Sequence, residues 1–200
     1  MKTLTGIFPE PIYIFNLNRS FSKKEKQVIR KEQKKVNSNI FNRISKNKNI
    51  LSIGDLSDIK SFIALSFKEY LEDVVAPKNR VGLYTTESWL NFTRINERHH
   101  KHYHSNSFIS GVFYFNTAKK DMICFHKKPS NNLEIETDKF NFFNCNSWDL
   151  PVTPGQLVLF PSYLEHSVPV VEEKVTRISL SFNTFILGDI SNVNAISLKI

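Results

Sequence analysis

Residues 99–115 read His99-His100-Lys101-His102-Tyr103-His104-Ser105-Asn106-Ser107-Phe108-Ile109-Ser110-Gly111-Val112-Phe113-Tyr114-Phe115. A cluster of histidines runs straight into a strand-like segment. Four of the chain's six histidines fall between positions 99 and 104. The β-branched and aromatic run behind them predicts a strand over 108–116. On an extended backbone, residues i and i+2 point to the same face, so His102 and His104 aim two imidazoles at one point. A third, isolated histidine, His166, stands between two later strand-like runs. Two ligands at i, i+2 and one distant ligand on a β scaffold form the pattern of a mononuclear non-haem metal site.

Working outward, further runs of β-branched and aromatic residues at 83–95, 122–126, 140–145, 157–160, 166–171 and 177–185 predict strands, divided by Asn, Pro, Ser and Gly. Upstream, 7–16 reads as a short edge segment whose prolines suit that position. Ser22 and Glu25 have the spacing of a capping box and open a helix through about Val36. The polar stretch 37–49 reads as an irregular loop. Leu56, Ile59, Ile63, Phe67, Tyr70 or Leu71, and Val74 recur at spacings of three and four, predicting a second helix from Asp55 or Ser57 that Pro77 ends. The pattern predicts an α+β chain, a double-stranded β-helix (a jelly-roll or cupin-like barrel) with two N-terminal helices packed on it. It is read as one domain over 1–200, with strand and helical support over 1–80 and a jelly-roll core over 81–187. The segment 127–139 is expected to form a long loop near the barrel mouth. Phe113, Phe115 and Trp148 are expected to line or support the barrel.

Composition narrows the class. A 40% hydrophobic fraction over 200 residues suffices for a core, and no window has the uninterrupted apolar length of a membrane span. The N-terminus lacks the apolar region of a secretory signal. Two cysteines, Cys124 and Cys145, are too few for a disulfide framework, which points to the cytoplasm (a host's, if the chain is phage-encoded). The net charge of +8 and pI near 9.4 arise largely in Lys23-Lys24-Glu25-Lys26 and Arg30-Lys31-Glu32-Gln33-Lys34-Lys35. Mixed with glutamates, these read as a solvated helix face rather than a nucleic-acid surface. A Gly-rich phosphate loop and a nucleophile elbow are both missing, which disfavours nucleotide-dependent and serine-nucleophile enzymes.

Two more motifs bear on chemistry. In Pro154-Gly155-Gln156-Leu157-Val158-Leu159-Phe160-Pro161-Ser162-Tyr163-Leu164-Glu165-His166, a turn leads into an apolar strand and a second turn delivers His166. A jelly roll would bring it across from His102 and His104. In Arg177-Ile178-Ser179-Leu180-Ser181-Phe182-Asn183, Arg177 shares a face with Ser179 and Ser181. If Ile178 and Leu180 pack under the helices, Arg177 points into the barrel. There it needs an anionic partner, and its guanidinium fork suits a ligand carboxylate.

Taken together these segments resemble the 2-oxoglutarate/Fe(II)-dependent oxygenases, in particular a small group found in marine bacteria and their phages. That pattern runs as Trp-x-Asn, HxHxxS, SGV(Y/F)Y, FPSxxxHSV and RxSxSFN. Here these are Trp89 to Asn91, His102 to Ser107, Ser110 to Tyr114, Phe160 to Val168 and Arg177 to Asn183, in family order. The resemblance implies Fe(II) held by His102, His104 and His166, with O2 and the cosubstrate 2-oxoglutarate bound at the metal. It implies Arg177 on the distal carboxylate with Ser179 beside it, Asn91 and Tyr114 within reach of the cosubstrate, and no catalytic residue beyond the metal ligands. The activity implied is a dioxygenase, a hydroxylase that couples decarboxylation to succinate with C–H oxidation. Its primary substrate (a protein side chain, a nucleic acid or a small molecule) is unspecified, and no membrane is involved. Most of the superfamily carries HxD or HxE, whereas position 104 is histidine. That change removes one negative charge from the metal's surroundings. His99 and His100 read as loop or supporting groups.

Two other readings use the same histidines. A cupin-type hydrolase or isomerase would hold zinc on three imidazoles with one position open. A non-enzymatic barrel would bind metal without regard to 2-oxoglutarate. Neither gives the Arg177 strand a role in the site.

Overall fold

The computed structural model describes residues 2–128 and 135–190. Eleven strands and two α-helices follow in the order β1 (Tyr13–Asn16), α1 (Lys23–Gln33), β2 (Val36–Ser38), β3 (Arg43–Ser45), α2 (Ser57–Tyr70), β4 (Val81–Thr93), β5 (His99–His102), β6 (Ile109–Asn116), β7 (Met122–His126), β8 (Ser147–Pro151), β9 (Gln156–Pro161), β10 (Glu165–Val168) and β11 (Arg177–Gly188). The strands form a seven-stranded sheet, β1-β9-β6-β11-β4-β3-β2, and a four-stranded sheet, β5-β10-β7-β8. All the strand pairings within them are antiparallel. The two sheets face each other through Val112, Tyr114, Val158 and Phe160 of the larger and Ile123 and Phe125 of the smaller. This is the double-stranded β-helix expected from the strand pattern.

Period-two alternation gives the large sheet two unlike faces. Leu90, Phe92, Phe113, Phe115, Leu180 and Phe182 point outward and pack with Ile59, Ile63 and Phe67 of α2 and Val28 and Ile29 of α1. The capping box that opens α1 is formed. Glu25 N–H donates to Ser22 Oγ (3.2 Å), and Ser22 N–H donates to Glu25 Oε2 (2.6 Å). The α2 stripe is buried from Leu56 to Leu71, but Val74 is 38% exposed. Past Tyr70 the helix loosens into a π turn, Leu71–Val75, that ends with Ala76 in the left-handed region. That unwinding carries Val74 off the stripe. Gly111 leaves room for its neighbours on the helix-facing side, since a Cβ there would stand 2.2 Å from the buried Phe182 ring.

Three expectations need correction. The stretch 37–49 is no plain loop, because β2 and β3 pair as a hairpin, Val36↔Ser45 to Ser38↔Arg43. β3 then extends the large sheet at Arg43↔Phe92 and Ile44↔Asn91. Its polar residues find partners on β4, as where Leu90 N–H donates to Ser45 Oγ (3.0 Å). The predicted strand over 140–145 is a run of turns, and the strand lies later, at Ser147–Pro151. Asparagine decides this. Asn141 Oδ1 accepts from Phe143 N–H and Asn144 Oδ1 accepts from Asn141 N–H, both at 2.8 Å, so local side-chain turns override the β propensity of the phenylalanines. The first helix stops at Gln33 rather than Val36, which is already paired in β2.

The expected loop at 127–139 falls partly outside the described residues. Phe113 and Phe115 support the barrel from its helix side, and Trp148 stacks on Phe142 with ring centroids 4.3 Å apart. Among the described residues, no helix is long and apolar enough to cross a membrane.

Candidate metal centre

The small sheet assembles three histidines. β5 and β10 run antiparallel with His102 opposite His166. His104 lies two residues beyond, held to the same edge by its N–H donating to the Ser162 carbonyl (2.9 Å). The rings sit 4.3 Å (His102–His166), 5.1 Å (His102–His104) and 5.2 Å (His104–His166) apart, centroid to centroid. One nitrogen from each lies within 4.8 Å of the others. Two of the rings are oriented by the backbone. His102 Nδ1 meets the His100 carbonyl at 2.7 Å, and His166 Nδ1 meets the Leu164 carbonyl at 3.0 Å. A carbonyl only accepts, so both Nδ1 atoms donate and each Nε2 keeps its lone pair.

Burial sets the charge state. It pushes His166 down to about 3 and His104 down to about 4, the neighbouring histidines adding to the effect. It lowers His102 as well. The Phe160 ring closes over His166 at 4.7 Å. Neutral, convergent imidazoles are the form that binds a divalent transition metal.

The large sheet supplies the opposite wall. Its inward positions on β11 are Arg177, Ser179 and Ser181, facing Thr93, Asn91 and Trp89 of β4. Ser179 also stands opposite Tyr114 of β6. Arg177 is 1% exposed. Its Nε lies 2.9 Å from the carboxylate of Asp121, itself buried, and Nη1 donates to Ser179 Oγ (3.2 Å). The guanidinium sits over the Tyr114 ring at 5.1 Å. Among the described residues, Nη2 has no hydrogen-bond partner, and neither does the Tyr114 hydroxyl. Burial pushes the Tyr114 phenol well up, keeping it a donor. Asn91 Nδ2 donates to Ser181 Oγ (2.9 Å).

All seven residues singled out from the sequence thus line one cavity of about 240 Å³: His102, His104, His166, Arg177, Ser179, Asn91 and Tyr114. The anionic partner inferred for a buried Arg177 exists inside the protein, as Asp121, which the sequence reading missed. The available signal was an acid at the head of an apolar strand, Asp121 before Met122-Ile123-Cys124-Phe125. His99 and His100, read as loop or supporting groups, lie on β5 and also line the cavity. His99 accepts at Nε2 from Asn42 Nδ2 (3.0 Å), with Thr93 Oγ1 at 2.9 Å. Burial, with Arg177 nearby, holds its pKa well below the usual range. Glu165 faces away from the triad and pairs with Lys101 at 2.9 Å.

The residues fit a metal with a chelating dicarboxylate. Three neutral imidazoles converge, and the same cavity holds two buried donors, Nη2 and the Tyr114 hydroxyl, that no described residue satisfies. A buried orphan donor costs roughly 1–3 kcal/mol unless a ligand or water meets it.

Comparison with known proteins points the same way. The family described as "Putative 2OG-Fe(II) oxygenase" matches residues 87–183. Among solved structures, an oxidoreductase of the 2OG-Fe(II) oxygenase family from Burkholderia pseudomallei superposes with a TM-score of 0.55 at 10% identity, covering 86% of this chain and 83% of that one. HygX from Streptomyces hygroscopicus, with nickel, 2-oxoglutarate and hygromycin B bound, gives 0.55 at 12% identity, covering 88% and 82%. A Pseudomonas putida prolyl-4-hydroxylase gives 0.53 at 12% identity, covering 87% and 92%. At such identities these structures establish the fold. No curated protein matches the chain.

Proposed function

We propose that this chain, whose residues 87–183 match the family described as "Putative 2OG-Fe(II) oxygenase", is a 2-oxoglutarate- and Fe(II)-dependent oxygenase in which His102, His104 and His166 hold the iron and Arg177 anchors the cosubstrate. The observation that carries this is the unpartnered Arg177 Nη2 beside the unpartnered Tyr114 hydroxyl, in the cavity of the three histidines. These two donors take the distal carboxylate of 2-oxoglutarate. Asp121 grips Nε and Ser179 accepts from Nη1, so the fork is locked with its free edge toward the cavity. Asp121 is therefore a positioning residue. Asn91, anchored to Ser181, faces the cosubstrate from β4.

When bound, Fe(II) with 2-oxoglutarate and O2 supplies the oxidising power that releases succinate and CO2 and hydroxylates a substrate carbon. The protein's own part is placement and exclusion of water. The backbone carbonyls of His100 and Leu164 fix two ligand tautomers, and Phe160 and Phe125 keep the floor under His166 apolar. We place the protein in a reducing, cytoplasmic setting, supported by its two unpaired cysteines.

The test is anaerobic addition of Fe(II) to the metal-free protein, with and without 2-oxoglutarate, followed by visible absorption. The expected result is a charge-transfer band that needs both components. Tight zinc binding with no such band would overturn the assignment in favour of metal-assisted hydrolysis.

A further inference from the structure

Counting charge around the cavity leaves one cation over. Among the described residues, no aspartate or glutamate lines it. Arg177 is offset by Asp121 from behind. Three neutral imidazoles add nothing, and a dicarboxylate cosubstrate would offset a divalent metal. A carboxylate ligand in place of His104 would have left the wall one charge more negative. What remains is Lys48. It lines the cavity, is exposed, and forms no salt bridge among the described residues.

Lys48 is also held in place. Its ammonium sits 5.0 Å from the centroid of the Trp89 ring, a cation–π contact that orients the charge while leaving its hydrogen-bond donors free. Trp89 in turn lies 6.0 Å from His104, ring to ring. Along β4, Trp89 is four residues from Thr93, the partner of Arg177, which separates the two ends of the wall by roughly 13 Å. Lys48 and Arg177 thus stand toward opposite ends of the cavity, with the histidines lining it as well. A second cation is mounted the same way near His100. Arg98, also without a salt bridge among the described residues, rests on Phe41 at 4.4 Å, and Phe41 contacts His100.

We infer that Lys48, seated on Trp89, is an anion subsite for the primary substrate, so that the molecule oxidised carries a phosphate or carboxylate group. This rests on the cosubstrate reading of the Arg177 end and adds to it the chemical class of the second ligand. The substrate's anionic oxygen accepts from the Lys48 ammonium, and the body of the substrate lies along Trp89 toward the metal. Lysine suits this as a point charge, one that reads an anion without demanding bidentate geometry.

Trp89 reports on the subsite directly. Trp148→Phe leaves it the only tryptophan of the two in the chain. This parent, loaded with Zn(II) and 2-oxoglutarate, is titrated with sn-glycerol 3-phosphate, glycerate and neutral glycerol while tryptophan emission is followed. Calorimetry measures 2-oxoglutarate binding separately. The expected result is a saturable response to at least one anion and none to glycerol. Adding Lys48→Met, which keeps the stem and removes the charge, should weaken the anion by about fivefold or more and leave 2-oxoglutarate affinity unchanged. Which anion responds tells phosphate from carboxylate. An equal response to glycerol, no saturable response to either anion, or unchanged anion affinity in the Lys48 variant would each overturn the subsite. Failure of 2-oxoglutarate to bind the parent would instead overturn the cosubstrate reading, and the subsite with it.

Discussion

The two faces of the large sheet are built from the same strands and do opposite work. On β11, Ile178, Leu180 and Phe182 go to the helices, while Arg177, Ser179 and Ser181 go to the cavity. On β4, Leu90 and Phe92 go one way and Trp89, Asn91 and Thr93 the other. The outer face is apolar and close-packed, and it buries the area that holds the fold together. The inner face carries polar groups, two of which, Arg177 Nη2 and the Tyr114 hydroxyl, find no hydrogen-bond partner among the described residues. Stability and chemistry are therefore separable by residue parity along a strand, and substitutions on the two faces should report different things.

The largest effect is expected at the histidines. His166→Ala should weaken metal binding by about a hundredfold or more, a first-contact loss exceeding the 10–100-fold typical of supporting groups. His99→Ala should keep its metal, because His99 is committed to Asn42 and Thr93. Metal titration of both variants checks this, and equal metal content in the two would dissolve the triad.

Next comes the buried ion pair. Arg177→Ala strands Asp121 without its cation and should cost about 3–5 kcal/mol of stability. Where the variant still folds, it should lose cosubstrate affinity and keep the metal. Asp121→Asn keeps the volume and frees the guanidinium from its anchor, so 2-oxoglutarate should bind about tenfold more weakly with metal affinity unchanged. Calorimetric affinity equal to wild type in both would remove the Arg177 end from the site.

The smallest effect is expected on the outer face. Gly111→Ala pushes a methyl into Phe182 and Leu159 and should destabilise by about 1–3 kcal/mol in denaturant unfolding. The affinities for metal and 2-oxoglutarate should not move. A change in either would show that the two faces are coupled through β6.

Parity also explains which parts were legible beforehand. The helix stripe, the capping box, the HxH pair and the alternation around Arg177 are local patterns with fixed periods. They led to the fold class, to the HxH pair and to the Arg177 face with Ser179, whereas Asn91 and Tyr114 came from the family resemblance. Local signals failed where two compete. At 140–145, asparagine side chains turned an aromatic run that propensity alone makes a strand. At 37–49, a polar segment became two strands because the edge of β4 offered it hydrogen bonds.

The sequence by itself determined that His102, His166 and Arg177 sit on strands of a jelly roll, with His104 just past the first, because side-chain direction along a strand follows from position alone. Tertiary structure decided what those groups meet. Asp121 comes to Arg177 from 56 residues away, and Lys48 comes to Trp89 from the bend after β3, which no periodicity announced. Such pairings depend on how two sheets and their connections close around a space. That closure is a property of the packed whole, which no window of neighbouring residues contains.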